Sequence, residues 1–270
     1  GGGMRAARTV GAPGGIGARA PDRDMQLVMQ DSESSLNPRM PSTMSSAYGP
    51  LSQGMERKAA LAIAIELLEQ VGLDPTLYAN RYPHELSGGQ KQRVNIARAL
   101  ALRPRLVILD EAVSALDKSI EAQILNLLMD LKREYDLTYV FISHDLNVIR
   151  YISDRVMVMY LGQVGEVGRV EESYAGPAHP YTKALLAAMP SMDPRNRTES
   201  APIAGDPPNP IDPPPGCRFR ARCPHAASIC EDLTPALAAH GAVGAAHAVA
   251  CHMRDPRSGH PEAQSSGAAS

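Results

Sequence analysis

Leu86-Ser-Gly-Gly-Gln-Lys-Gln-Arg93 is the stretch on which the fold reading turns. Ser87 is a favoured helix N-cap, and Val94, Ala97 and Leu100 continue the helix that it opens, which ends before Pro104. Gly88 and Gly89 let backbone N–H groups approach an anion closely. The helix N-terminus adds partial positive charge, so Ser87 to Gln90 reads as a phosphate-facing turn. The ordinary alternative is a glycine turn before any helix. The motifs that follow in register weigh against it.

Working outward, Leu106-Val-Ile-Leu109 is a continuous apolar run, as expected of a strand buried on both faces of a parallel sheet. Asp110 and Glu111 follow at once. Ligands of open α/β sheets bind at the carboxyl ends of strands. Asp110 therefore suits a Mg2+ ligand, and Glu111 suits a base that orients an attacking water. Ser114-Ala-Leu-Asp117 precedes a helical stripe of Ile120, Ile124, Leu127, Leu128 and Leu131. Asp117 reads either as the N-cap of that helix or as a contact to a second subunit. Thr138 to Ser143 is the next strand, and Arg155 to Tyr160 another; the strand–helix alternation implies a parallel sheet. His144 ends a strand adjacent to that of Glu111, where a phosphate-contacting role is favoured over a structural one. Gln30 follows the short strand Met25 to Met29; it could ligate Mg2+ or water, although Gln is also an ordinary surface residue.

The composition sets the outer limits. The 270 residues hold 27 Lys and Arg against 29 Asp and Glu, a net charge of -2, which argues against a general nucleic-acid binder. Aromatics are 4% and Trp is absent, so the core must be aliphatic. No apolar run reaches the roughly 18 residues needed to span a bilayer. Arg5 and Arg8 have no apolar segment behind them, so no secretory signal is read and the expectation is a soluble cytoplasmic protein. Val10-Gly-Ala-Pro-Gly-Gly-Ile-Gly17 imitates a dinucleotide-binding loop but lacks the flanking strand and helix that motif needs.

The expected organisation has residues 1–24 unplaced and a nucleotide-site domain over 25–175, with a helical subdomain at about 37–103. A Pro-rich linker over 176–216 contains His179-Pro-Tyr181. A Cys-bearing module over 217–253 and a disordered tail over 254–270 complete it. All four cysteines, Cys217, Cys223, Cys230 and Cys251, fall in that module. In a cytoplasmic protein such clustering favours metal or cluster ligation over disulfides. Four thiols suit zinc or an iron–sulfur cluster; unligated or partly oxidised thiols are the plain alternative.

In this order the motifs resemble the nucleotide-binding subunit of an ATP-binding-cassette (ABC) transporter. Leu86 to Gln90 is similar to the family signature, and Leu106 to Glu111 to the Walker B strand with its catalytic Glu. Ser114 to Asp117 resembles the D-loop, His144 the switch histidine and Gln30 the Q-loop glutamine. The resemblance implies an α/β fold: a P-loop NTPase domain with a helical subdomain and a small Cys-containing C-terminal extension. It implies ATP and Mg2+ as cofactors. The nucleotide-binding residues would be Gln30, Ser87, Gly88, Gly89 and Gln90; the catalytic pair Glu111 and His144; the Mg2+ ligands Asp110 and Gln30; the dimer contact Asp117. Gln30 to Met40, Tyr82-Pro-His-Glu85 and His179-Pro-Tyr181 resemble the dipeptide/oligopeptide importer branch. Its subunits pair with a second ATPase, two membrane permeases and an extracytoplasmic peptide-binding protein, at the cytoplasmic face of the membrane. Some relatives are thought to hold a [4Fe–4S] cluster in the Cys segment.

The sequence departs from that pattern in four places. No G-x-x-x-x-G-K-[ST] occurs, so the phosphate-cradling Walker A loop is expected to be missing and the domain truncated. Ala112 stands where the family usually has Pro. Lys118 replaces an apolar or small residue. Ser32-Glu33 interrupts the usual Asp-Pro after the Q-loop Gln. The missing loop would supply several charge-assisted hydrogen bonds of ~1.5–3 kcal/mol each. Losing three or more is at least ~5 kcal/mol, on the order of a thousandfold to ten-thousandfold in affinity. The chain alone is therefore expected to hold ATP poorly. Two expectations follow: an ATP-hydrolysing subunit of a peptide importer, or a non-hydrolysing partner that donates Ser87 to Gln90 to another ATPase.

Overall fold

The computed structural model describes residues 21–30, 32–189, 203, 205, 206, 208–240 and 247–263. The chain divides into two compact units, residues 1–145 and 146–270. That division cuts across the domain expected over 25–175, because the strand after residue 154 joins a different sheet.

In the first unit β1 (Met25–Met29) leads to three main helices, α1 (Ser42–Ser52), α2 (Arg57–Gln70) and α3 (Gly88–Leu100). Next come β2 (Leu106–Asp110), α4 (Lys118–Glu134) and β3 (Thr138–Ile142). α2 buries Ala60, Ala64, Leu67 and Leu68, one face of a helix at i, i+4, i+7 and i+8. Gly72 stops it by taking a φ of 75°, a backbone region that glycine reaches without a Cβ penalty. Ala47 of α1 packs on Ala60 and Ala64, flanked by Leu51 and Leu61. The hydroxyls of Ser42 and Thr43 donate to the carbonyls of Arg81 and Ala79, closing the helical region on itself. α4 buries Ile124, Leu125, Leu128 and Leu131, close to the expected stripe.

The sheet of this unit is parallel in the order β1-β2-β3, with Val28, Leu109 and Phe141 in one register row. Val28, Val107 and Leu109 are buried. The next row, Leu27, Ile108 and Val140, turns the other way, and Leu27 and Val140 are about half exposed, as are Met29 and Ile142. The expected burial of β2 on both faces is thus corrected: its residues alternate between buried and half-buried.

The second unit holds α5 (Leu146–Ile152), β4 (Arg155–Tyr160), β5 (Gln163–Arg169), α6 (Val170–Ala175), α7 (Pro180–Ala187), β6 (Ala238–Ala239) and β7 (Ala248–Val249). Its sheet runs β4-β5-β7-β6 and is antiparallel. The expectation of a parallel sheet does not extend to β4. Leu161 and Gly162, with φ of 47° and 77°, make a two-residue turn that folds β5 back on it. Residues 176–189, expected at the start of a linker, carry α7. Its N-cap His179 accepts from the backbone N–H of Tyr181 through Nδ1 at 3.0 Å. Residues 254–263, expected in a disordered tail, are structured: His260 Nε2 meets the carbonyl of His225 at 2.8 Å. The expectations for residues 1–20 and 264–270 lie outside the described residues.

Candidate active-site edge

Parallel strands in register end together, and this places the chemistry. Met29, Asp110 and Ile142 are register partners across the three strands. Gln30, Glu111 and His144 therefore emerge from the same carboxyl edge, where open α/β sheets bind ligands. The backbone N–H of Glu111 donates to the carbonyl of Ile142 at 2.9 Å, so the β2–β3 ladder runs on to the catalytic candidate itself. Glu111 then takes a φ of 48°, an uncommon region for a residue with a Cβ. The turn is held by Ser114, whose backbone N–H and hydroxyl both donate to the Glu111 carbonyl, at 3.1 and 2.9 Å. Backbone outliers of this kind cluster at functional sites.

His144 Nδ1 lies 3.1 Å from Glu111 Oε1. The imidazole is 75% exposed and the carboxylate 29%, so the pair faces solvent, open to a ligand. Asp110 is half-buried beside it, and Gln30 is exposed at the end of β1. Among the described residues no hydrogen bond joins Gln30 to Asp110 or Glu111; register alone brings it to this edge.

The Ser87–Gln90 turn is built as a reciprocal cap. Gln90 N–H donates to Ser87 Oγ at 3.4 Å, and Ser87 N–H donates to Gln90 Oε1 at 2.9 Å. Gln90 Nε2 also donates to the Tyr78 hydroxyl at 3.1 Å. The cap uses both polar side chains of the motif and leaves the first N–H groups of α3, at Gly88 and Gly89, without acceptors inside the helix. Gly89 has a second reason to be glycine: a Cβ there would lie 2.6 Å from Ile120 Cγ2 of α4. Among the described residues this turn is not hydrogen-bonded to Glu111 or His144.

Asp117 sits at the N-cap position of α4, but its side chain makes no capping hydrogen bond. The capping alternative for this residue is not what the structure forms, and the carboxylate is exposed.

The second unit contains a buried carboxylate that no sequence motif marks. Glu166 of β5 is fully buried and accepts from the backbone N–H groups of Ala178 and His179 at 3.0 and 2.9 Å. His247 Nε2 lies 2.7 Å from its Oε1. Burial works to raise the carboxyl pKa, but the hydrogen bonds it accepts outweigh that and hold it below the usual value. His179 is pushed down to about 4, chiefly by burial, with Glu166 opposing. Its ring packs near Phe219, which also meets Tyr160 and Tyr181 edge-on or tilted. The only local hint of this hub is a lone Glu between valines and glycines in Val164-Gly-Glu-Val-Gly168.

Cys217, Cys223, Cys230 and Cys251 line one cavity together with His179, His252 and His260. None is in a disulfide. Burial raises the thiol pKa of Cys217 and Cys251, and that of Cys223 to about 11. Among the described residues no three Cys, His, Asp or Glu groups are placed to hold a metal ion.

The comparisons place the chain among known families. A profile of the ABC transporter family matches residues 12–114, and one of the oligopeptide/dipeptide transporter C-terminal region matches residues 166–230. The chain is 48% identical over 241 residues to the probable peptide ABC transporter ATP-binding protein y4tS of Sinorhizobium fredii, covering 88% of this chain and 67% of that one. It is 47% identical over 243 residues to the oligopeptide transport ATP-binding protein OppF of Escherichia coli, covering 88% and 71%. Among solved structures, CbiO1 of Clostridium perfringens, part of the ABC transporter complex CbiONQ, superposes with a TM-score of 0.52 at 27% identity. That likeness spans 57% of this chain and 60% of the other. The fold is that of an ABC-type ATPase. More narrowly, the chain belongs to the ATP-binding subunits of ABC transporters, in the group that carries the oligopeptide/dipeptide C-terminal region. Among the described residues no helix is long and apolar enough to cross a membrane.

Proposed function

We propose that this chain is the ATP-binding and ATP-hydrolysing subunit of an importer for di- or oligopeptides, working through membrane permeases. The observation that carries the reading is the shared strand edge, where Glu111 and His144 stand 3.1 Å apart. The C-terminal match over 166–230 supports the peptide branch. Glu111 would orient the attacking water, and His144 would contact the phosphate that leaves. Asp110 and Gln30 would hold Mg2+, which supplies charge neutralisation at the phosphates when bound. The N–H groups of Gly88 and Gly89 would face nucleotide held by a second ATPase subunit, and exposed Asp117 would touch that subunit. An extracytoplasmic peptide-binding protein and two permeases complete the assembly, with this subunit peripheral on the cytoplasmic face.

For the four cysteines the reading is an iron–sulfur cluster or zinc. They share one cavity, which supports a common ligand. Near-stoichiometric iron or zinc in anaerobically purified protein supports this; absence of both metals removes it.

A second reading is that the chain only donates its signature turn to a partner's site, since the N–H groups of Gly88 and Gly89 have no acceptors inside the helix. ATP turnover of the chain, alone and mixed with a partner ATPase, tests both with Glu111→Gln and Ser87→Arg. Loss with Glu111→Gln supports hydrolysis at this chain's own site. Loss with Ser87→Arg alone supports the donor reading. No turnover and no association in any mixture overturns both.

A further inference from the structure

His144 lacks the packing that would hold a catalytic side chain. Its ring is 75% exposed, and among the described residues its one side-chain hydrogen bond is to Glu111. Its distance to Glu111 must therefore be set by the backbone on which it rides. That backbone is pinned at the next residue. The N–H of Asp145 donates to Ser143 Oγ at 3.0 Å, and its carboxylate meets Lys118 Nζ at 2.9 Å. Lys118 is itself aimed: Glu121, one turn further along α4, takes the same ammonium with both oxygens, at 3.0 and 3.3 Å. The Glu121 side chain is only 11% exposed, so it is a fixed anchor although the lysine is open to solvent. Lys118 directly follows Asp117, the exposed carboxylate assigned above to a subunit contact.

We propose that Lys118 is a positioning residue that ties the start of α4 to the loop after β3 and so keeps His144 within hydrogen-bond reach of Glu111. Rigid placement matters here because small displacements of a reacting group cost rate steeply. An exposed ion pair adds little to global stability, so the consequence falls on local geometry and not on folding. The pair also links two parts of the site: movement of the Asp117 segment is transmitted through Lys118 and Asp145 to the histidine. This rests on the reading of Glu111 and His144 as the hydrolytic pair, but its test does not.

The test is the long-range 1H–15N spectrum of the imidazoles in the full chain labelled at histidine, with His144 assigned by loss of its signals in His144→Gln. Lys118→Met is expected to move the His144 ring nitrogens to the position that Glu111→Gln produces, while Lys118→Arg leaves them in place. The charge swap Lys118→Asp with Asp145→Lys restores them. In wild type about 1 M NaCl, where the screening length falls to roughly 3 Å, produces the same shift, so the answer survives a variant that fails to fold. His144 signals indifferent to both Lys118→Met and salt overturn the proposal. If the signals respond and no ATP is turned over in any assembly, the hydrolytic reading fails and the positioning contact stands. Where turnover is present, Lys118→Met lowers kcat several-fold at unchanged KM for ATP, and Lys118→Arg rescues it.

Discussion

Two of the Glu–His pairs among the described residues do opposite things. Glu111 and His144 meet at 3.1 Å at the edge of a parallel sheet, 29% and 75% exposed. Glu166 and His247 meet at 2.7 Å in the second unit, 0% and 9% exposed. The first pair keeps unused hydrogen-bonding capacity turned toward solvent and sits on strained backbone. The second is surrounded by donors that saturate its carboxylate. Residue type therefore says little about role; exposure and the number of satisfied lone pairs say more.

The contrast can be broken most severely at the exposed pair, by activity. With Glu111→Gln, ATP turnover in the assembled transporter is expected to fall about a hundredfold to ten-thousandfold, the range for a general base. The unfolding midpoint should barely move, since the carboxylate is partly exposed and its one side-chain partner among the described residues is an exposed imidazole. Steady-state phosphate release and urea unfolding followed by circular dichroism check both halves.

At the buried pair the result should invert. Glu166→Ala leaves the N–H groups of Ala178 and His179 without their acceptor and His247 without its partner. Each buried donor left without its partner costs about 1–3 kcal/mol. The same urea titration should show that loss in the second unit. An unchanged midpoint would mean the hub is not what holds α7 to β5.

Acid sharpens the comparison. His179 has a folded pKa of about 4 against 6.5 when free. As pH falls below 6.5 the unfolded chain takes up a proton that the folded one refuses, so stability drains away until the pH passes through 4. The full shift is worth about 3 kcal/mol at 1.36 kcal/mol per unit. Glu166 is held low in the folded state, so its contribution is present above its unfolded value and is lost only at still lower pH. Thermal melts between pH 7.5 and 4.5 should show a falling Tm that His179→Gln makes flatter.

The smallest effect belongs to Asp117. A working N-cap costs ~1 kcal/mol to remove. With no capping hydrogen bond to lose, Asp117→Ala should change stability by less than ~0.5 kcal/mol. It should weaken association with a partner ATPase, read by analytical ultracentrifugation. A full capping loss with normal association would return the residue to an ordinary helix start.

Periodicity and local chemistry, both carried by the sequence itself, determined much of this protein. Ser87 opens a helix and Gly72 closes one because caps and stops act over a few residues. Leu106 to Leu109 is a strand that ends at Asp110 because apolar runs and their termini are local signals. From strand ends and a parallel sheet, Glu111 and His144 could be put at one edge. Only the tertiary structure decided what lies far apart in the chain: Glu166 with His247, 81 residues on, and Lys118 with Asp145, 27 residues on. It also decided that β4 turns back on β5 through Leu161 and Gly162, and that β2 is covered on one face. Such pairings depend on register and on which elements pack together, and no short window of sequence carries that information.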